Sequence, residues 1–203
     1  MDFVVNILAL GIPFSVALLI ASLGEMVNQR AGVFNLGCEG IMAVGAFLGF
    51  LAPFLVGRGG PVPGIWNVAG ILLAMGVGAL LGLFFGLVVV TFRAPQGIAG
   101  IGLQMFGVGV AGTLFRHFVG GTQSIPGIPN MPIPVLSELP VLGPVLFSHN
   151  PLVYLTFLFV PAAWYILFKT PWGLRVRASG TNPRAADSIG VKEIGRASCR
   201  ERV

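Results

Sequence analysis

An all-α, polytopic membrane bundle is the fold class this chain predicts, on three observations. Of its 203 residues 55% are apolar and only 9% charged, against about 25% charged in ordinary soluble domains. Mean hydropathy is +0.91. Long charge-free intervals recur: 22 residues from Phe3 to Gly24, 34 from Gly59 to Phe92 and 22 from Ala94 to Phe115. So few charges cannot cover a soluble globule of this size, and so much apolar area excludes disorder. A helix crosses the hydrocarbon core with about 20 apolar residues, so five spans are expected: Val4 to Leu23, Leu36 to Val56, Val68 to Phe92, Ile98 to Phe118 and Leu152 to Phe168.

The first span follows Met1-Asp2-Phe3, which lacks the basic n-region of a secretory signal, so it is read as retained. An odd number of spans puts the chain ends on opposite sides. One set of loops holds Arg30, Arg93, Lys169, Arg175, Arg177, Arg184 and Lys192; the other holds only Arg58 and Arg116. The positive-inside rule makes the first set cytoplasmic and places the N-terminus outside. The net charge of +5 is explained by those loops, and nucleic acid is not expected as a partner. Between the fourth and fifth spans, Gly120 to Asn150 is proline-rich and external, with apolar Val141 to Phe147 expected to pack on the membrane face.

The second span opens in a polar, glycine-rich stretch. Asn35 and Glu39 stand at i and i+4, and polar groups at membrane depth tend to face a bundle interior or a watery cavity. They share one face if the helix is continuous; Gly32, Gly37 and Gly40 would also permit a broken or re-entrant start. Alternatively Glu39 pairs with Arg30 at the cytoplasmic interface. Glu25 reads as an interfacial carboxylate and Gln29-Arg30 as a tight turn. In the third and fourth spans, Gly78, Gly82 and Gly86 and then Gly100, Gly102, Gly107, Gly109 and Gly112 suit close helix packing, or a substrate path between helices. Gln96 and Gln104 bracket the start of the fourth span, and Gln104 needs a polar partner on another helix or on a substrate.

Beyond the fifth span, Asn182-Pro183 reads as N-cap and first residue of a short helix over Arg184 to Ile189, ended by Gly190. Such a helix on the cytoplasmic face is a docking element; Arg175, Arg177 and Arg184 suit either protein docking or anionic lipid headgroups.

Catalysis finds little support. Neither lysine follows a glycine, so no P-loop is formed, and neither a His-Glu-x-x-His pair nor a Gly-x-Ser-x-Gly elbow occurs. His117 and His149 lie at membrane boundaries and read as structural. Cys38 and Cys199 are far apart, suggesting neither a disulfide framework nor a metal cluster. No catalytic residue, cofactor or metal is expected.

Two blocks carry a family resemblance. Leu23-Gly-Glu-Met-Val-Asn-Gln-Arg-Ala-Gly-Val-Phe-Asn-Leu-Gly-Cys-Glu-Gly-Ile-Met42 resembles the first-hairpin signature of bacterial ABC-importer permeases, in the group of branched-chain amino acid, ribose and nucleoside permeases, closest to the nucleoside or simple-sugar branch. Thr170-Pro-Trp-Gly-Leu-Arg-Val-Arg-Ala-Ser-Gly-Thr-Asn-Pro-Arg-Ala-Ala-Asp-Ser-Ile-Gly190 resembles that group's cytoplasmic ATPase-docking loop. Leu139-Pro-Val-Leu-Gly-Pro and Asn150-Pro-Leu-Val-Tyr are also similar to the nucleoside or simple-sugar branch. The resemblance implies a multi-pass protein of the bacterial inner membrane. It implies as partners a separate ABC ATPase subunit, a second related permease and an extracytoplasmic substrate-binding lipoprotein, besides membrane lipid. It carries Asn35 and Glu39 to the translocation path, to which Gln96 and Gln104 are added as polar residues of the fourth span. The ATPase-coupling loop, about residues 169–193, would comprise Gly173, Arg175, Arg177, Asn182, Pro183, Arg184, Ala185, Ala186, Asp187 and Gly190. The cargo would be a nucleoside or sugar-like solute, with branched-chain amino acids as the alternative in the family. A proton-coupled transporter using Glu39 is the alternative outside it.

Members of that group continue with further spans after the coupling helix, so about a third of a typical permease is expected to be missing. Ile194-Gly-Arg-Ala-Ser-Cys-Arg-Glu-Arg-Val203 resembles one reading frame of a common sequencing-adapter read and is expected to be foreign, leaving residues 1–193 as permease. Setting aside Arg196, Arg200, Arg202 and Glu201 lowers the net charge to +3.

Overall fold

Every helix that the apolar runs predict is present in the computed structural model, which describes residues 2–57, 64–121, 125, 127–131 and 142–182. In chain order these are α1 (Asp2–Arg30), α2 (Cys38–Gly57), α3 (Gly64–Gly86) continued by a π-helical turn (Leu87–Thr91), α4 (Gln96–Phe118), α5 (Leu142–Leu146), α6 (Pro151–Lys169) and α7 (Pro171–Thr181). No strand occurs among the described residues. Five helices are long and apolar enough to cross a membrane: Phe3–Arg30, Cys38–Gly57, Gly64–Thr91, Gln96–Phe118 and Pro151–Lys169. In lipid every backbone polar group must be satisfied within the protein, and helices do this internally. Hydroxyls inside the spans follow the same rule: Ser15 donates to the Ile12 carbonyl, Thr113 to Gly109 and Thr156 to Leu152, at 2.8 Å each.

The chain divides into two compact units, one of residues 1–27 and 128–174, the other of 28–127 and 175–203. In the first, α6 begins on Asn150, whose side chain accepts from the Val153 amide at 3.2 Å, with Pro151 at the first helical position. This capping places the start one residue earlier than hydropathy alone suggests. Within the apolar stretch after Val141, Leu142–Leu146 form α5, with Val145 buried. His149 is 4% exposed; its ring Nε2 lies 2.7 Å from the Val145 carbonyl and its amide donates to the Tyr154 hydroxyl at 3.1 Å. The Met131 amide donates to the His149 carbonyl. His149 is structural, as its boundary position suggests.

In the second unit α2 packs on both α3 and α4. Gly45 and Gly49 of α2 meet Ala74 and Gly70 of α3 in antiparallel order, whereas Gly37, Gly40 and Phe50 meet Gly100, Gly107 and Phe115 in parallel order. The core is made by Val44, Phe47 and Ala111 in one cluster and Phe85, Val89 and Leu103 in another. Pro53 contributes indirectly. Lacking an N–H, it leaves the Gly49 carbonyl without its helical donor, and that carbonyl rests against Gly70, where any Cβ would strike it. The end of α3 was expected as plain helix to Phe92; instead it widens into the π turn, with the Phe92 amide bonding back five residues to Leu87. Arg93 follows at φ 55°, a left-handed conformation uncommon outside glycine, and reverses the chain into Pro95 and α4.

Candidate functional site: a polar junction at the start of α2 and α4

The junction begins where α1 ends. Gly32, at φ 85°, closes α1 with a Schellman motif: its amide bonds to the Gln29 carbonyl and the Val33 amide to Asn28, both at 3.0 Å. Only a residue free to adopt positive φ fits that position without cost. The reversal therefore falls on Ala31-Gly32, and Gln29-Arg30, expected as a tight turn, is the last turn of α1 instead.

Gln96, the first residue of α4, holds this bend from the other side. Its Oε1 accepts from the Phe34 amide at 2.8 Å and its Nε2 donates to the Gly32 carbonyl at 3.5 Å. Asn35 is 7% exposed and its Oδ1 accepts from the Gly37 amide at 2.8 Å, a local Asx turn. Since α2 begins only at Cys38, Asn35 and Glu39 do not share a continuous helix face, and the broken start that the glycines permit is the one adopted. Glu39 lies in the first turn of α2, where the helix dipole favours a negative charge. Its Oε2 accepts from Gln104 Nε2 at 2.5 Å. Gln104 thus finds its polar partner on another helix, the Glu39 carboxylate, for which pairing with Arg30 was the alternative reading. Gln104 lies eight residues beyond Gln96, about 12 Å along α4.

Glycines make this approach possible. A Cβ at Gly40 would lie 2.6 Å from the Leu103 carbonyl, one at Gly107 2.5 Å from the Gly40 carbonyl, and one at Gly100 2.8 Å from the Leu36 amide nitrogen. These contacts are with backbone, so no rotamer change relieves them. Gly82, Gly86, Gly102, Gly109 and Gly112 have nothing within 4 Å of an added Cβ. Glycine density alone did not distinguish the two groups. Beside the junction, an apolar pocket of about 280 Å³ opens between Phe84, Phe85, Val88 and Phe106. None of the four predicted path residues lines it.

The predicted coupling loop is partly described. Within it Lys169 ends α6, and Pro171–Thr181, expected as loop, form α7. Thr170 caps it: its Oγ1 donates to the Ile166 carbonyl at 2.5 Å and accepts from the Gly173 amide at 3.2 Å, with Pro171 next in line. Thr170-Pro171 carries the same N-cap signal as Asn150-Pro151 and would have revealed α7. Gly173 is buried against the Ile166 and Leu167 carbonyls. Arg175 is exposed and Arg177 half-buried. Asn182 is exposed, its amide bonding to Ala178, so it closes α7. The helix expected from Pro183 through Arg184, Ala185, Ala186 and Asp187 to Gly190 lies outside the described residues. Gly180, unnoticed in the sequence, packs on Arg30 and Gly32.

Five apolar helices, with Gln96 holding the bend before α2 and Gln104 meeting Glu39 further along α4, define a multi-pass α-helical membrane protein with an internal polar junction. The chain belongs to the family described as "Branched-chain amino acid transport system / permease component", which matches residues 5–194. It is 34% identical over 200 residues to the guanosine ABC transporter permease protein NupQ of Bacillus subtilis, covering 93% of this chain and 61% of that protein. It is 32% identical over 181 residues to the nucleoside ABC transporter permease protein NupC of Lactococcus lactis, covering 88% and 56% respectively. The autoinducer 2 import system permease protein LsrC of Yersinia pestis is 32% identical over 130 residues, 64% of this chain and 34% of the relative. The chain thus spans between 34% and 61% of the length of these curated relatives. No solved structure matches it.

Proposed function

We propose that the chain is the membrane-spanning permease subunit of an ATP-binding-cassette importer that carries a nucleoside or sugar-like solute into the cell. The observation that carries this reading is the Glu39–Gln104 pair. It joins a carboxyl group in the first turn of one apolar helix to an amide within another, and polar groups in such helices are costly unless they serve packing or a solute path. It sits in a family whose members include guanosine and nucleoside permeases. Glu39 is exposed in this chain and Gln104 already donates to one of its oxygens, which leaves carboxylate and amide oxygens as acceptors for the hydroxyl or N–H groups of a neutral solute. Asn35 and Gln96 then serve the path by fixing the bend from which α2 starts.

In this reading ATP is hydrolysed on a separate ABC ATPase, and an extracytoplasmic lipoprotein delivers the solute. A second, related permease completes the path in a bacterial inner membrane. The loop from Gly173, Arg175 and Arg177 through Asn182, Pro183, Arg184, Ala185, Ala186, Asp187 and Gly190 docks the ATPase. Closure of the ATPases tilts the bundle as a rigid body between two access states. Residues 1–193 are permease and 194–203 a foreign tail.

Uptake of labelled guanosine by cells carrying the complete assembly tests this. Depleting ATP should abolish uptake, while a protonophore at constant ATP should leave it intact. Asp187→Ala should lower uptake at least tenfold with ATP hydrolysis maintained. The opposite pattern of inhibition would make Glu39 a proton relay and sink the ATP-driven reading.

A further inference from the structure

Within the unit that starts at Asn28, the last turn of α7 meets the Gly32 bend backbone to backbone. A Cβ at Gly180 would collide with the Arg30 carbonyl oxygen and lie 2.9 Å from both the Arg30 carbonyl carbon and the Gly32 nitrogen. Reciprocally, a Cβ at Gly32 would lie 3.2 Å from Gly180 Cα. Both partners are main chain, so the contact cannot yield by side-chain rotation. Close-packed interfaces of this kind shift between discrete arrangements and do not deform continuously.

Nor is the bend free to absorb a push. The Schellman bonds tie Gly32 and Val33 to the end of α1, and Gln96 ties Gly32 and Phe34 to the first residue of α4. Asn35 then locks Gly37. A Cβ at Gly37 would lie 2.9 Å from the Gly100 carbonyl, and Gly40 abuts Gln104. A displacement entering at Gly180 therefore meets fixed backbone all the way to Glu39 and its hydrogen bond with Gln104.

We propose that Gly180 is a positioning residue, whose contact with Gly32 passes movement of α7 to the Glu39–Gln104 pair. This rests on the importer reading above for its consequence in transport, but not for the mechanical link itself. The link explains why a glycine stands in the last turn of a helix that ends at Thr181, where no positive φ demands one.

Two readouts separate the link from the transport role. With Cys199→Ser in place, Cys38, half-buried at the first position of α2, is the remaining thiol, and its labelling by a maleimide in membranes reports the junction. Gly180→Ala should change that labelling rate at least threefold. Gly112→Ala, whose methyl meets nothing within 4 Å, should not change it. In the complete assembly, Gly180→Ala should raise ATP hydrolysed per solute imported at least tenfold, whereas a lesion of folding alone lowers hydrolysis and uptake together. If Gly180→Ala does not assemble, Gly32→Asn presses the same contact from the other side, since asparagine tolerates positive φ. Unchanged Cys38 labelling in the variant that assembles overturns the link. Altered labelling with normal stoichiometry overturns the coupling role. If the unmodified assembly imports no nucleoside or sugar, the importer reading fails, and Cys38 labelling alone decides whether the link exists.

Discussion

Two of the spans, α1 and α2, look alike in composition and differ in what surrounds them. The most apolar window of α1 has a mean hydropathy of 2.5 and none of it is buried; that of α2 has 2.0 and a third is buried. The greasier helix is the less enclosed. In water that ordering would be perverse, but lipid tails are as apolar as leucine and offer no hydrophobic drive to bring helices together. What brings α2 into contact is the absence of side chains at Gly40, Gly45 and Gly49, each facing a neighbour, whereas Gly11 and Gly24 of α1 face nothing within 4 Å. Apolarity reports that a helix lies in the membrane; the position of its glycines reports what it touches there.

The largest effect expected from that contrast is at Gly107. Its α-carbon sits against the Gly40 backbone, with the oxygen, carbonyl carbon and Cα all 2.5 to 2.7 Å from an added Cβ. Gly107→Ala should separate α2 from α4 and cost about 2 to 3 kcal/mol, the upper part of the range for overpacking. Reversible unfolding in detergent measures it. A cost below about 0.5 kcal/mol would mean that α2 and α4 do not approach so closely.

Much of this fold could be read in advance because hydropathy and helix length are nearly the same variable in a bilayer. All five spans follow from residue type alone, whereas the cap at Asn150 was not read there. Nor was the π turn, since Leu87 to Thr91 is as apolar as any helix. The site was half legible. Asn35, Glu39, Gln96 and Gln104 stood out as polar groups in apolar runs, but their partners did not. Hydrogen bonds between residues 62 and 65 positions apart have no signature in one sequence. Gly180 was invisible for the same reason, one glycine among 30.

A middle-sized effect tests the polar half of the junction. Gln104→Leu removes the amide from Glu39 and leaves the carboxylate without that donor. Interhelical hydrogen bonds in membranes contribute about 0.6 to 2 kcal/mol, so a loss of about 1 to 2 kcal/mol is expected, smaller than at Gly107 because no backbone moves. The same unfolding titration, paired with Glu39→Leu in a double-mutant cycle, isolates the coupling between the two side chains. Strict additivity would show that they do not interact.

The smallest effect sharpens the comparison most, because it uses the same substitution as the largest and predicts the opposite sign. Gly11→Ala adds a methyl where nothing stands within 4 Å, in a helix with no buried residue in its most apolar window. No contact is lost and none is overpacked. Alanine restricts the unfolded backbone more than glycine does and favours helix by about 0.5 to 1 kcal/mol in water; within lipid, where the chain is already helical, less of that is realised. A gain between zero and about 1 kcal/mol is therefore expected. A loss comparable to that of Gly107→Ala would show that α1 is gripped along this face as tightly as α2, and that an open glycine in this chain is no guide to lipid exposure.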